Sequence, residues 1–111
     1  MQYGESIQPM AQASELFGDS VIYRALKTDQ FESGLLCLEP GKTAGYDGGH
    51  KNADELFYVV EGTACVEYPA TGKQVLVKQG ELIVNDRDLP HVVSNPGTEP
   101  LKLLFVCCAA H

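Results

Sequence analysis

Past residue 20 the apolar positions of this chain recur every second residue rather than every third or fourth. Val21, Tyr23 and Ala25 alternate with Ile22, Arg24 and Leu26. Residues 34–39 (Gly-Leu-Leu-Cys-Leu-Glu) form a nearly continuous apolar run closed by Pro40 and Gly41, a strong turn signal. Residues 56–60 are aromatic and β-branched, the composition that packs well on a pleated surface. Glu61 and Gly62 turn the chain into residues 63–68, and Thr71 and Gly72 return it through residues 74–78. Further short strands are predicted over residues 81–84, 90–94 and 101–109, separated by turns at Gln79-Gly80 and Asn95-Pro96-Gly97 and by a polar loop over residues 85–88. Roughly eight or nine short strands, about ten residues apart and punctuated by Gly and Pro, are the signature of a β-sandwich or barrel.

The first twenty residues read differently. Residues 1–10 are polar and contain Pro9, which suits an arm or an edge-pairing extension. Residues 11–17 follow that proline and precede Gly18, so one short N-terminal helix is expected there. The expected architecture is all-β: one domain over residues 1–111, with an arm over 1–19 and a barrel over 20–109.

With 111 residues, 44% of them hydrophobic and 21% charged, the chain can bury a core without staples. Its net charge of −7, with only 8 scattered Lys and Arg, excludes the electrostatic footprint of a nucleic-acid or anionic-membrane binder. No apolar run approaches a membrane span. Residues 1–10 lack the basic and apolar regions of a secretory signal, so a cytoplasmic location with free thiols is expected. Cys37, Cys65, Cys107 and Cys108 show no zinc-type spacing and read as small buried hydrophobes. Cys107 and Cys108 are adjacent, so in a strand they face opposite ways, leaving one of them exposed and oxidisable.

Candidate chemistry concentrates between Gly45 and Gly62. A glycine-rich turn delivers His50, and Glu55 opens the strand that follows. Alternation puts Glu55, Phe57 and Val59 on one face and Leu56, Tyr58 and Val60 on the other. A carboxylate on the interior face requires a cation or strong donors. His91 shares a face with Val93 on a later strand, so His50, Glu55 and His91 converge if both faces are interior. Taken singly, a loop histidine is commonly just solvated and a strand histidine is commonly a satisfied core or rim residue. The joint spacing with Gly62, Gly80 and Asn95 favours a shared pocket, with Tyr46, Phe57, Tyr58 and Val93 as candidate lining, although aromatics and valines on strands are more often plain core. Gly62 and Asn95 themselves read as turn residues. Tyr23 and Tyr68 carry no signal of their own, and His111 is terminal.

These residues resemble the cupin superfamily, whose motifs are G-x5-H-x-H-x3,4-E-x6-G and G-x5-P-x-G-x2-H-x3-N. The second is matched in spacing from Gly80 through His91 to Asn95, with Asp86 at the usual proline and Asp88 at the usual glycine. In the first, Glu55 to Gly62 matches in full and His50 stands at the second histidine, whereas Gly48 occupies the first histidine's position and Lys42 that of the leading glycine. The likeness covers about residues 34–106 and implies a small jelly-roll barrel, often dimeric, that binds a divalent metal. By position the ligands are His50, Glu55 and His91, with Asp47 a possible fourth. Fe, Mn, Ni, Co and Zn all suit such donors. The implied functions are a metal-dependent enzyme of the dioxygenase or isomerase type acting on a small polar molecule, or a metal-free barrel that binds or senses a small ligand. The second follows from Gly48. The partners implied are a small molecule and a second copy of the chain.

Overall fold

In the computed structural model, which describes residues 4–49 and 53–109, nine strands form two facing sheets. They are β1 (Ser14–Phe17), β2 (Ser20–Lys27), β3 (Phe31–Leu38), β4 (Ala53–Glu61), β5 (Thr63–Tyr68), β6 (Lys73–Lys78), β7 (Leu82–Asn85), β8 (Val92–Ser94) and β9 (Leu101–Ala109). Six strands build the larger sheet in the order β1-β2-β3-β9-β4-β7, and three build the smaller in the order β6-β5-β8. All pairings are antiparallel. No helix among the described residues is long and apolar enough to cross a membrane.

The alternating pattern sets the core. On β4, Glu55, Phe57 and Val59 are buried while Tyr58 and Val60 face outward. On β5, Ala64, Val66 and Tyr68 are buried, and from β9 Leu101, Leu103 and Phe105 meet them across the barrel. The expected burial of Cys37 and Cys65 is corrected: both are only half-buried. Each lies between two inward residues, Leu36 and Leu38 or Ala64 and Val66, so alternation turns its thiol outward.

The N-terminal helix is a single 3-10 turn over Pro9–Ala11. The residues after it, placed in that helix from the sequence, instead form β1 at the edge of the large sheet, with Glu15 opposite Ile22 and Phe17 opposite Ser20. Residues 14–17 are too short a segment to hold a helix by propensity, and the edge of β2 offers backbone partners.

Residues 43–47 close the barrel. Gly18 bridges to Ala44, Thr43 to Ser94, and Asp47 to His91. The amide of Ala44 donates to the carbonyl of Val93 at 2.8 Å, and that of Gly45 to Phe17 at 3.0 Å. This ribbon therefore joins the β8 edge of the small sheet to the β1 end of the large one. Gly45 is required where it crosses β1, because a Cβ there would lie 2.7 Å from the Phe17 ring.

Candidate metal centre and its cavity

The isolated bridge between Asp47 and His91 positions the site. Their backbones exchange hydrogen bonds, His91 N–H to Asp47 O at 2.9 Å and Asp47 N–H to His91 O at 3.1 Å. Directly opposed antiparallel residues point their side chains to the same face. Asp47 Oδ2 accordingly lies 3.4 Å from His91 Nε2, and Glu55 Oε1, from the neighbouring wall, lies 3.0 Å from the same nitrogen. One ligand atom from each of Asp47, Glu55 and His91 falls within 4.8 Å of the others.

Asp47 and His91 are each held from behind. Asp47 Oδ1 accepts the amide of Gly49 at 2.9 Å, a local turn. Gly49 has φ of 91° and packs against the Asp88–Leu89 backbone, which a Cβ would approach to 2.8 Å. Asp88, at the usual motif glycine, takes φ of 60°, a conformation that Asp tolerates better than most side chains. His91 Nδ1 lies 3.0 Å from the carbonyl of Leu89. That contact is satisfied by an Nδ1–H donor, so in the neutral ring Nε2 presents its lone pair to the two carboxylates. The ring stands edge-on to Phe57, with centroids 5.5 Å apart.

His91 is 2% exposed. Burial alone lowers its pKa, but Asp47, Glu55 and the Leu89 carbonyl outweigh burial and push it up to about 10. Without a metal the imidazolium is the cation beside the two carboxylates, and it offsets one of their charges. The donor set also fits a divalent ion: an imidazole nitrogen and two carboxylate oxygens converge from three segments, as Zn, Mn or Fe sites require.

Of the residues singled out from sequence, Asp47, Glu55 and His91 come together, and Tyr46, Phe57 and Val93 line the adjoining cavity. His50 lies outside the described residues. Gly48 also lines the cavity; a Cβ there would find only Tyr46 Cε1, at 3.9 Å. The extended bridge places Asp47, not Gly48, directly opposite His91, which is what turns its carboxylate to this face.

Sequence reasoning passed over four contributors. Asn85 sits opposite Glu55 on β7 and is 1% exposed; it accepts a hydrogen bond from Tyr68 Oη at 2.5 Å. Cys107, opposite Glu55 on β9, lines the cavity, and burial, then the nearby carboxylates of Glu55 and Glu32, raise its thiol pKa to about 11. Arg24 and Glu32 stand at the other end of the same cavity. Outside it, Arg87 donates to Asp54 from its amide and guanidinium at 3.2–3.3 Å, tying the loop before His91 to the start of β4 and holding the Asp54 carboxyl below its usual range. Cys108, on the opposite face from Cys107, is exposed.

A family model described as a cupin domain (Cupin_2) matches residues 34–107. A search of curated proteins returns no match. Similar solved structures include a predicted oxalate decarboxylase from Thermotoga maritima, at 19% identity and TM-score 0.81, covering 95% of this chain and 99% of that one. A cupin 2 conserved barrel domain protein from Salinispora arenicola shares 21% identity at TM-score 0.78, covering 96% and 91%. A double-stranded β-helix protein from Klebsiella pneumoniae shares 17% identity at TM-score 0.81, covering 97% and 92%. At these identities the likeness is one of fold.

Proposed function

The chain belongs to the cupin domain family, and from that premise we propose that it is a metal-dependent cupin enzyme of the dioxygenase or isomerase type, acting on a small molecule. The observation that supports this is the convergence of Asp47, Glu55 and His91 within 4.8 Å at one end of a cavity of about 280 Å³. A divalent ion held by these groups would supply Lewis acidity to a substrate oxygen. The chain's own residues do the rest. Leu89 fixes the His91 tautomer, the Asp47–His91 bridge sets the spacing of two donors, and the apolar walls exclude water from the third. Gly48, without a side chain, leaves the rim of the cavity open to an entering molecule.

A second reading, a metal-free barrel that binds a small ligand, is favoured by one observation. The His91 imidazolium is itself a cation beside the two carboxylates, so the cluster is partly compensated without an ion. Metal analysis of protein purified without chelator separates the two. The enzyme reading expects roughly one Mn, Fe, Ni, Co or Zn per chain, lost in Glu55→Gln and His91→Ala while both variants stay folded. A wild-type protein that is metal-free and cannot be reloaded sinks it.

A further inference from the structure

The cavity walls carry information about what it holds. Arg24 and Gly34 are register partners between β2 and β3, Gly34 pairs with Phe105 on β9, and Phe105 pairs with Phe57 on β4. These residues form one row across the inner face of the large sheet. Gly34 has no side chain, and a Cβ there would come 2.8 Å from Phe105 Cζ; the Phe105 ring therefore leans over the glycine toward β2. Phe57 at the far end of the row abuts the His91 ring. In order, the cavity presents a guanidinium, two aromatic rings, and the Asp47-Glu55-His91 cluster. Phe17, Ile22, Leu36 and Val93 complete apolar walls.

Arg24 is the only Lys or Arg among the described residues that line this cavity. Its Nε donates to Glu15 and its Nη1 to Glu32. A guanidinium has five N–H donors, so three remain, including both on Nη2. Exposed ion pairs of this kind are weak; they aim the fork without consuming it. From Arg24 to Glu55 are three strand spacings across the sheet and two residues along it, about 16 Å between backbones; Glu55 is buried at one end and the Arg24 side chain, 51% exposed, stands at the open end. The cavity has room for the volume of about nine waters.

From this arrangement we infer that the ligand is a compact monocarboxylic acid with an apolar body: its carboxylate takes the free N–H groups of Arg24, its body lies on Phe105 and Phe57, and its far end meets the Asp47-Glu55-His91 cluster. A guanidinium fork matches a carboxylate in geometry as well as charge. A neutral sugar has no carboxylate for the guanidinium, and a small diacid such as oxalate has no apolar body to cover the two rings. The inference rests on the proposed small-molecule function, but not on the metal.

Isothermal titration of the full chain with 3-phenylpropanoate, 3-phenylpropanamide, oxalate and glucose tests it, run once with Mn²⁺ and once with chelator. The acid is expected to bind at least tenfold tighter than its amide, oxalate or glucose in both conditions. Arg24→Met should bring acid and amide within about twofold without altering Mn²⁺ affinity, and Arg24→Lys, which keeps the charge but not the fork, should fall between. Oxalate or glucose binding as tightly as the acid overturns the inference, as does an acid preference that survives in Arg24→Met. If the preference holds but Mn²⁺ does not bind, the metal reading fails and this one stands; if Mn²⁺ binds and the preference is absent, the reverse is true.

Discussion

Gly48 is the residue at which this chain departs from the motif it otherwise follows. It lacks the left-handed backbone that would demand glycine, and a Cβ meets nothing closer than 3.9 Å. A side chain is therefore sterically acceptable there, on the exposed rim of the cavity that holds Asp47 and His91. Gly48→His is expected to fold normally and to bind Mn²⁺ or Ni²⁺ at least tenfold more tightly than wild type, about 1.4 kcal/mol by titration calorimetry. Unchanged affinity would mean that position 48 no longer faces the donors. His91 makes a different prediction, for the metal-free protein. Its folded pKa, about 10, lies above the ordinary 6.5. Below about pH 6.5 the ring is protonated in both folded and unfolded chains, and the full stabilisation is present. Above that the unfolded chain releases its proton while the folded one keeps it, so stability declines and the contribution is gone past about pH 10. The chelated protein should lose Tm steadily from pH 7 to pH 10, and His91→Gln should flatten that slope. The ring signal of His91 followed by NMR would report the same transition directly.

At the scale of elements, the barrel depends on irregular segments that bring β-strand edges together. Asn95 shows how. It is 1% exposed, donates from Nδ2 to the carbonyls of Leu38 and Glu99, each at 2.9 Å, and accepts the Gly97 amide at 3.0 Å. One side chain thus fastens the turn after β8 to the end of β3. Asn95→Ala strands these partners, each of which costs about 1–3 kcal/mol where water cannot replace it. A loss of about 2–4 kcal/mol in denaturant unfolding is expected, with the cavity residues untouched. From sequence, Asn95 reads as a turn residue, and the structure gives it a buried fastening role in that turn. The strands themselves were legible because period-two alternation is local: Phe57 against Tyr58, or Val66 against Glu67, can be sorted from neighbours alone. The ribbon at residues 43–47 was not, since its partners are Phe17, Val93 and His91, far away in the chain, and its glycines read as a loop. Arg24 left a trace, a lone cation on the strand face shared with Ile22 and Leu26, yet its role depends on Phe105 and Glu32 lying across the sheet. Asn85 and Tyr68 gave no sign, because a hydrogen bond between two sheets leaves no periodicity.

For the whole molecule, what needs explanation is the outward face of the six-stranded sheet. Tyr58 lies opposite Leu82 and Leu56 opposite Val84 on the β7 side, and Leu104 and Val106 continue the same rows on β9. Leu82 and Val84 are 63% and 62% exposed and Tyr58 is 37% exposed, on a chain of net charge −7. Contiguous apolar patches of this sort on small proteins usually meet a partner. Charge lies at the margins of the face, in Asp54 at one end and the Lys102–Glu61 pair at the other, giving an apolar centre and a polar rim as in known interfaces. We propose that a second copy of the chain covers it about a two-fold axis, the commonest arrangement for soluble oligomers. Each face would have to bury about 800 Å² to hold a stable pair. The cavity opens on the inner side of the same sheet, so disrupting this contact should leave ligand binding intact. Sedimentation equilibrium should find wild type dimeric and the Leu82→Glu, Val84→Glu double variant monomeric, with unchanged circular dichroism and Mn²⁺ affinity. A monomeric wild type would refute the pairing, and a dimer that survives both glutamates would move it to another face.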